Sequence, residues 1–122
     1  MGLITSQLSG CAPMPIFKSE TKLKIIEVPL NLFIDKNKML VVRNKQLEFD
    51  ILLIKISDIK YNAIEMKCSH QDNSLTVTKT GLFCSSHGST FDLEGNVTME
   101  PALEPLKKFK TEINNSFVKI FI

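Results

Sequence analysis

Two short Cys/His pairs constrain this chain more than any other feature of its sequence. The first is Cys68-x-His70 in "KCSHQDN", the second is Cys84-x-x-His87 in "FCSSHGSTFD", and residues 71–83 separate them. A lone cysteine is usually a small buried apolar residue, but these pairs contain both histidines of the chain and two of its three cysteines. Two thiolates with two imidazoles suit either a tetrahedral zinc ion or an iron–sulfur cluster. The sequence therefore predicts a metal centre at Cys68, His70, Cys84 and His87.

The size and charge of the chain exclude several classes of protein. A chain of 122 residues is long enough for one domain with a modest core. Its net charge of +2 is small, and 14 of its 15 basic residues are Lys. Because Lys lacks the planar fork with which Arg recognises phosphate, no nucleic-acid partner is expected. The longest apolar run, "FDILLIKIS" at 49–57, is interrupted by Lys55 and is too short to span a membrane.

Short apolar segments rich in Ile, Val, Leu, Phe and Thr alternate with polar turns throughout residues 21–122. This alternation of short apolar segments and turns predicts an all-β, antiparallel sandwich or barrel. It also predicts turns at 94–96 and 113–117, and a short helix is expected in 29–36. Residues 1–20 are small, polar and Pro-containing, and we expect them to form an extension outside the 21–122 domain. The predicted strands lie at 22–28, 38–44, 49–57, 62–68, 74–80, 81–84, 96–100, 106–113 and 117–122.

The two boxes and the sequence that follows them resemble the Rieske [2Fe–2S] domain. The pattern of that family is Cys-x-His, a spacer, then Cys-x-x-His-Gly with a Ser, an aromatic-Asp pair, a Gly turn and a proline loop. Here the matching stretches are "CSH", "CSSHGSTFD", "LEGNV" and "EPALEPL". The resemblance covers residues 38–122, and it implies a Rieske-type β-sandwich or barrel with a small cluster-binding subdomain at about 66–106.

The resemblance also implies a role for each matching side chain. Cys68 and Cys84 would bind the inner iron of the cluster through sulfur, and His70 and His87 would bind the outer iron through nitrogen. Neutral imidazole makes the cluster less negative than thiolate does, which raises its reduction potential. Further residues around the cluster are implied: a turn glycine, a hydroxyl donor to a bridging sulfide, the aromatic residue of the aromatic-Asp pair and a shielding proline loop. They are Gly88, Ser89, Phe91, Pro101 and Pro105.

Several positions depart from the members of the family with high potentials. Those members carry an extra cysteine in each box, joined as a disulfide, where this chain has Asn73 and Ser86. Phe91 stands where a Tyr would offer a hydroxyl to a ligand sulfur, the 71–83 spacer is a little short, and "HQDN" lacks the Gly common after the first box. Since fewer hydrogen bonds to sulfur lower the potential, we expect a ferredoxin-like centre of low to middling potential.

The third cysteine, Cys11, lies in "LSGCAP", which resembles the bacterial lipobox. In that motif a signal peptide is cut before the cysteine and the thiol receives a diacylglycerol, which would anchor the domain to a membrane. The resemblance implies a cell-envelope protein, on the periplasmic side or the outer membrane. The alternative is a free thiol in an N-terminal tail of a soluble cytoplasmic protein.

These features favour electron transfer over other functions. We predict one-electron transfer through a [2Fe–2S] cluster, by a carrier or by the redox subunit of a membrane-associated complex, with a redox protein or that complex as partner. An enzyme in its own right is not expected, because the only candidate catalytic groups are the metal ligands. The alternatives are a structural or interaction lipoprotein in which a cluster or zinc mainly stabilises the fold, and a zinc-binding module.

Overall fold

The computed structural model describes residues 14–34 and 36–122, and β-strands dominate that part of the chain. A 3-10 helix at Leu30–Leu32 lies within the predicted helical range 29–36. No helix in the described ranges reaches the length and apolar character needed to cross a membrane. The all-β prediction is confirmed. The strands are β1 (Ile16–Ser19), β2 (Ile25–Pro29), β3 (Met39–Asn44), β4 (Ile51–Ser57), β5 (Lys60–Glu65), β6 (Thr76–Val77), β7 (Gly81–Phe83), β8 (Thr90–Asp92), β9 (Val97–Met99), β10 (Lys108–Ile113) and β11 (Phe117–Phe121).

Seven strands form one large sheet in the order β1-β3-β4-β5-β10-β11-β2. Adjacent strands in this sheet are antiparallel, except that β1 and β3 run parallel to each other. The outermost strands β1 and β2 approach each other, so the sheet is a nearly closed barrel. The side-chain amides of Asn44 and Gln46 hold the chain between these two strands by donating to the carbonyls of Thr21 and Leu23.

Strand β1 lies outside the domain boundary expected from the sequence. Residues 1–20 were expected to lie outside the domain, but Ile16–Ser19 pair in register with β3, from Ile16 beside Val41 to Ser19 beside Asn44. The parallel pairing occupies the open edge of β3, and the four-residue alternation "IFKS" is too short to reveal it. The sheet therefore includes four residues of the predicted N-terminal extension, and the predicted domain boundary at residue 21 is wrong.

The other four strands form a small sheet in the order β6-β7-β8-β9, which carries the Cys/His boxes at one end. Strand β8 was not predicted, because its three residues lie inside the second box. The expected turn at 94–96 closes the β8–β9 hairpin: Asp92 Oδ1 accepts from the backbone N–H groups of Glu94 and Asn96, both at 2.9 Å. At its tip Gly95 has a φ of +84°, a conformation that favours glycine.

Two hydrophobic clusters lie on opposite faces of β3 and β4. In β4, Ile51 and Leu53 face the barrel interior, whereas Leu52 and Ile54 face the small sheet. Because the strand is buried on both faces, "ILLI" is continuously apolar instead of alternating. The site therefore rests directly on a hydrophobic core. The cluster facing the small sheet consists of Val41, Leu52, Ile54, Ile64, Cys68, Leu75, Leu82, Cys84, Phe91, Ala102 and Leu106.

The expected hairpin turn at 113–117 connects β10 to β11. Asn114 Oδ1 accepts from the backbone N–H groups of Ser116 and Phe117, at 2.8 and 2.7 Å. Asn is favoured at such a turn because its short side chain bonds to the backbone two residues further on. The turn fixes the register between β10, which pairs with β5, and β11, which pairs with β2.

Candidate metal centre

The first Cys/His box forms a hairpin-like loop between β5 and β6. An isolated bridge pairs Lys67 with Ser74, and the Cys68 N–H donates to the Asn73 carbonyl at 2.9 Å. These bonds fold the loop back on itself and direct its two ligand candidates differently. Cys68 is 1% exposed and belongs to the core, whereas His70 lies exposed at the tip.

The second box forms a tighter turn between β7 and β8. The Gly88 N–H donates to the Cys84 carbonyl at 2.9 Å, and the Cys84 N–H donates to the Ser89 carbonyl at 2.8 Å. Gly88 has a φ of +83°, which a residue with a side chain adopts only with strain. The turn thus places Cys84 in the core at 1% exposure and His87 in solvent.

The four side chains come together as two pairs at different depths. The imidazoles of His70 and His87 lie side by side at the surface, with ring centroids 5.2 Å apart and ring planes at 88°. Below them, Cys68 and Cys84 are both 1% exposed and belong to the same core cluster. In residues 14–34 and 36–122, no three His, Cys, Asp or Glu side chains converge as ligands of a single ion. The arrangement suits a cluster with two metal atoms, one facing sulfur and one facing nitrogen.

The pKa of the Cys84 thiol lies below its ordinary value of 9.0. Burial alone would raise it, but hydrogen bonds from the Ser86 backbone N–H, the Cys68 thiol, the His87 backbone N–H and the Ser86 hydroxyl outweigh burial. The thiolate is the form that binds metals. The turn is therefore built to hold a negative sulfur atom within an apolar core.

A third loop, residues 100–105, covers the side of the site. Ser89 is fully buried, and its Oγ accepts from the Ala102 N–H at 3.0 Å. In the first box, the Ser69 hydroxyl donates to the Glu104 carbonyl. The loop begins with a cis Glu100–Pro101 peptide bond. The two serines thus connect this proline-containing loop to both Cys/His loops. The role that the resemblance implies for Ser89, a hydroxyl donor to a bridging sulfide, stays a prediction.

The expected aromatic and proline residues take different positions around the site. Phe91 is 2% exposed and packs in the same core cluster as both cysteines. Pro101 is half-buried at the start of the third loop, and Pro105 is exposed near its end. Cys11 lies outside the described residues, so a lipid on its thiol stays a prediction.

Sequence reasoning missed three features of the site. One is Gly81, where an added Cβ would lie 1.8 Å from the Phe91 carbonyl oxygen, so that only glycine allows β7 to pair with β8. Another is Ser69, which the sequence marks only as a small polar residue between two ligand candidates. The third is a hydrogen bond between the loops, from Asn73 Nδ2 to Ser86 Oγ at 3.0 Å. From the sequence, these two residues stand out only because other members of the family have a disulfide at their positions.

Comparison with known proteins agrees with this geometry. A model of the Rieske [2Fe–2S] domain family matches residues 18–110 of the chain. No curated protein matches it. Among solved structures, the plasma membrane Rieske protein PetC3 of the cyanobacterium Synechocystis PCC 6803 aligns with a TM-score of 0.65 and 16% identity, over 78% of this chain and 97% of that chain.

Two structures from the carbazole 1,9a-dioxygenase system have the same fold. The ferredoxin from Nocardioides aromaticivorans IC177 aligns with a TM-score of 0.55 and 16% identity, over 77% of this chain and 92% of that chain. A chain in a complex of reduced oxygenase and oxidized ferredoxin aligns with a TM-score of 0.60 and 20% identity, over 80% of this chain and 93% of that chain. Since the family match spans most of the sequence, the chain belongs to the Rieske [2Fe–2S] domain family.

Proposed function

We propose that this protein transfers single electrons through a [2Fe–2S] cluster held by Cys68, Cys84, His70 and His87. The observation that carries the proposal is the sorting of the four side chains into a buried thiol pair and an exposed imidazole pair. Membership of the Rieske family implies the cluster itself. When bound, the cluster accepts and releases one electron.

The residues around the site would shield the cluster from water, stabilise its sulfur ligands and leave its histidine side open to a partner protein. The apolar cluster around Cys68 and Cys84 excludes water from the sulfur side of the site. The backbone N–H groups of Ser86 and His87 help to lower the pKa of the Cys84 thiol and so favour negative charge on its sulfur. On the other side, the imidazoles of His70 and His87 reach the surface, where a partner protein can approach closely enough to exchange an electron.

The partner that we propose is a redox protein or a membrane-associated complex, and we propose that the chain is not an enzyme on its own. The structural relatives support both kinds of partner, since one is named as a plasma membrane protein and another as the ferredoxin of a dioxygenase. For a membrane complex, a lipid on Cys11 would keep the domain near the bilayer. Fractionation of cells expressing the wild type and Cys11→Ala tests this: release of the variant from membranes is expected, and its retention would contradict the lipid anchor.

The ligand set is tested by four single variants and one matched control. Cys68→Ala, Cys84→Ala, His70→Ala and His87→Ala should each lose the visible absorbance and the iron of the purified protein. Ser85→Ala, an exposed side chain in the same turn as Cys84, should keep both. Wild-type protein reduced without oxygen should take up one electron per two irons. A His variant with full iron content and an unchanged spectrum would remove that histidine from the ligand set.

One observation favours a second candidate function, in which the cluster mainly stabilises the fold. Cys68 and Cys84 are both part of the core under the loops, so binding at these thiols is coupled to folding of the small sheet. A structural role predicts that a redox-inactive metal in the same site supports the biological function. Electron transfer predicts that such a protein folds but is inactive.

A further inference from the structure

We propose that a groove lined by lysines, at the end of the barrel away from the metal centre, is a docking surface for an anionic lipid bilayer. This lysine groove has a volume of about 630 Å³. Apolar side chains, among them Met14, Met39 and Ile56, form part of its lining. Its cationic side chains are Lys36, Lys38, Lys55 and Lys79. The inference goes beyond electron transfer and does not depend on it.

The register of the strands places the lysine groove at the opposite end of both sheets from the metal centre. Met39 at the start of β3 pairs with Ile54 in β4, and both line the groove. Strand β5 runs back from there toward Cys68, and its six residues span roughly 17 Å. In the small sheet, Lys79 precedes β7 and Cys84 follows it. A bilayer at the groove would therefore leave the Cys/His loops free for a redox partner.

The charge of the lysine groove complements the phosphates of anionic lipids. Lys55 forms an ion pair with Asp58 at 3.2 Å. The other three lysines of the groove are exposed, and none of them forms an ion pair with a carboxylate in residues 14–34 and 36–122. Counting against the lysines both Asp58 and Asp35, which lies outside the described residues, an excess of two positive charges is left.

Exposed isoleucines beside these lysines favour a bilayer over a purely ionic partner. Ile56 lines the groove, and Ile59 at the tip of the same β4–β5 hairpin is 86% exposed. Ile34 is exposed too, in a turn whose carbonyl accepts from the N–H of Asn37, another residue of the groove. At a membrane surface, aliphatic side chains enter the acyl boundary while lysine amines stay with the phosphates.

The chain that precedes the described residues enters at the lysine groove. Met14, the first described residue, lines it. Cys11 is three residues earlier, so a lipid on its thiol would be attached within about 11 Å of Met14 along the chain. Stable anchoring takes two signals, and a basic surface beside a lipid is one such combination. The groove would supply the second signal, and its attraction to anionic lipid exists without the first.

The test is flotation of the full chain carrying Cys11→Ala, which cannot be lipidated, with vesicles. These consist of phosphatidylcholine alone, or of phosphatidylcholine and phosphatidylglycerol in equal parts. At low ionic strength the protein should bind the anionic vesicles much more tightly than the neutral ones, and added salt should weaken binding because it screens exposed charges. At physiological salt the attraction alone is weak, so the release of Cys11→Ala expected in cell fractionation still holds.

Variants in the same background locate the surface. Removing three groove lysines should weaken binding to anionic vesicles about a hundredfold, since each lysine near such a surface contributes about fivefold. The variant is Lys36→Gln/Lys38→Gln/Lys79→Gln. A control that removes the same charge from exposed positions toward the metal-centre end of the barrel should bind nearly as tightly as the parent. That control is Lys22→Gln/Lys45→Gln/Lys107→Gln. Ile59→Ser should also weaken binding, whereas Leu23→Ser, at another exposed apolar position, should not.

Three results would overturn the inference: no binding to anionic vesicles, equal binding to neutral and anionic vesicles, or equal losses in the two lysine variants. The iron content and visible absorbance of the same samples test the proposed function separately, because none of the substituted residues is a proposed ligand. A protein that binds anionic vesicles as expected but holds no reducible cluster would refute electron transfer and leave the docking surface standing.

Discussion

Ser89→Ala should lower the stability of the protein, because the Ser89 side chain connects the third loop to the second Cys/His loop. The Ser89 side chain is fully buried, and its Oγ is the acceptor of the Ala102 N–H at 3.0 Å. Ala102 is also fully buried, so in Ser89→Ala its N–H would lose the side-chain partner without gaining water. The substitution removes one oxygen atom and leaves the Cβ in place, so the cavity contributes little.

The expected loss is the cost of a buried backbone donor without a partner, about 1–3 kcal/mol in the free energy of unfolding. For a chain of 122 residues, this lowers Tm by roughly 4 °C per kcal/mol. Differential scanning calorimetry on samples with equal iron content measures it, with Ser85→Ala as the control that should change Tm little.

The same substitution should loosen the third loop specifically. Hydrogen exchange followed by mass spectrometry should show faster exchange in the peptide that contains residues 100–105, whereas the barrel strands should exchange as in the wild type. Unchanged Tm together with unchanged exchange in this peptide would refute the reasoning, because it would mean that the Ser89 hydroxyl contributes nothing to the position of the loop.

Three further predictions concern the scaffold. Gly81→Ala should abolish cluster assembly, because the added Cβ would lie 1.8 Å from the Phe91 carbonyl oxygen; an assembled variant with normal iron content would contradict this. Leu52→Ala, at a fully buried position in the same core cluster as both cysteines, should lower the unfolding free energy by about 2–5 kcal/mol in a denaturant titration. A loss below about 1 kcal/mol, which is the effect of a single methylene group, would mean that the core is not packed as described. Hydrogen bonds from Asn62 and Lys108 hold the Glu94 pKa below its ordinary value of 4.5, so its carboxylate stabilises the fold above that pH and the contribution is lost as pH falls through the lowered pKa. Glu94→Gln should therefore have a lower free energy of unfolding than the wild type at pH 7, by a modest amount because the carboxylate is 41% exposed. This difference in unfolding free energy should disappear in acid. A difference of constant size at all pH values would contradict the lowered pKa of Glu94.

The sequence predicts the chemistry of the site better than the packing around it. Cysteine and histidine are rare in this chain, so their pairing was informative without any fold, and the structure brings Cys68, His70, Cys84 and His87 to one end of the small sheet. Alternating and continuous apolar segments likewise predicted most strands, because burial on one or both faces leaves a pattern in the sequence.

Other features depend on contacts between distant parts of the chain, which leave no local pattern. Strand β1 forms only because β3 offers an open edge more than twenty residues further on. Gly81 is required because of the carbonyl of a residue on the neighbouring strand. The bond from Asn73 to Ser86 joins two loops whose distance is set by the whole small sheet. Such residues have ordinary polar or small side chains, and only the tertiary structure shows what they contact.

The most direct test of the account is pulsed EPR of the reduced protein, with iron and zinc counted on the same sample. We predict two irons and no zinc per chain, together with hyperfine couplings from two nitrogen ligands. The control Ser85→Ala should keep both couplings. His70→Ala and His87→Ala should each lose at least one of them. One zinc per chain, no metal, or an iron–sulfur signal without nitrogen couplings would contradict a cluster held by two cysteines and two histidines.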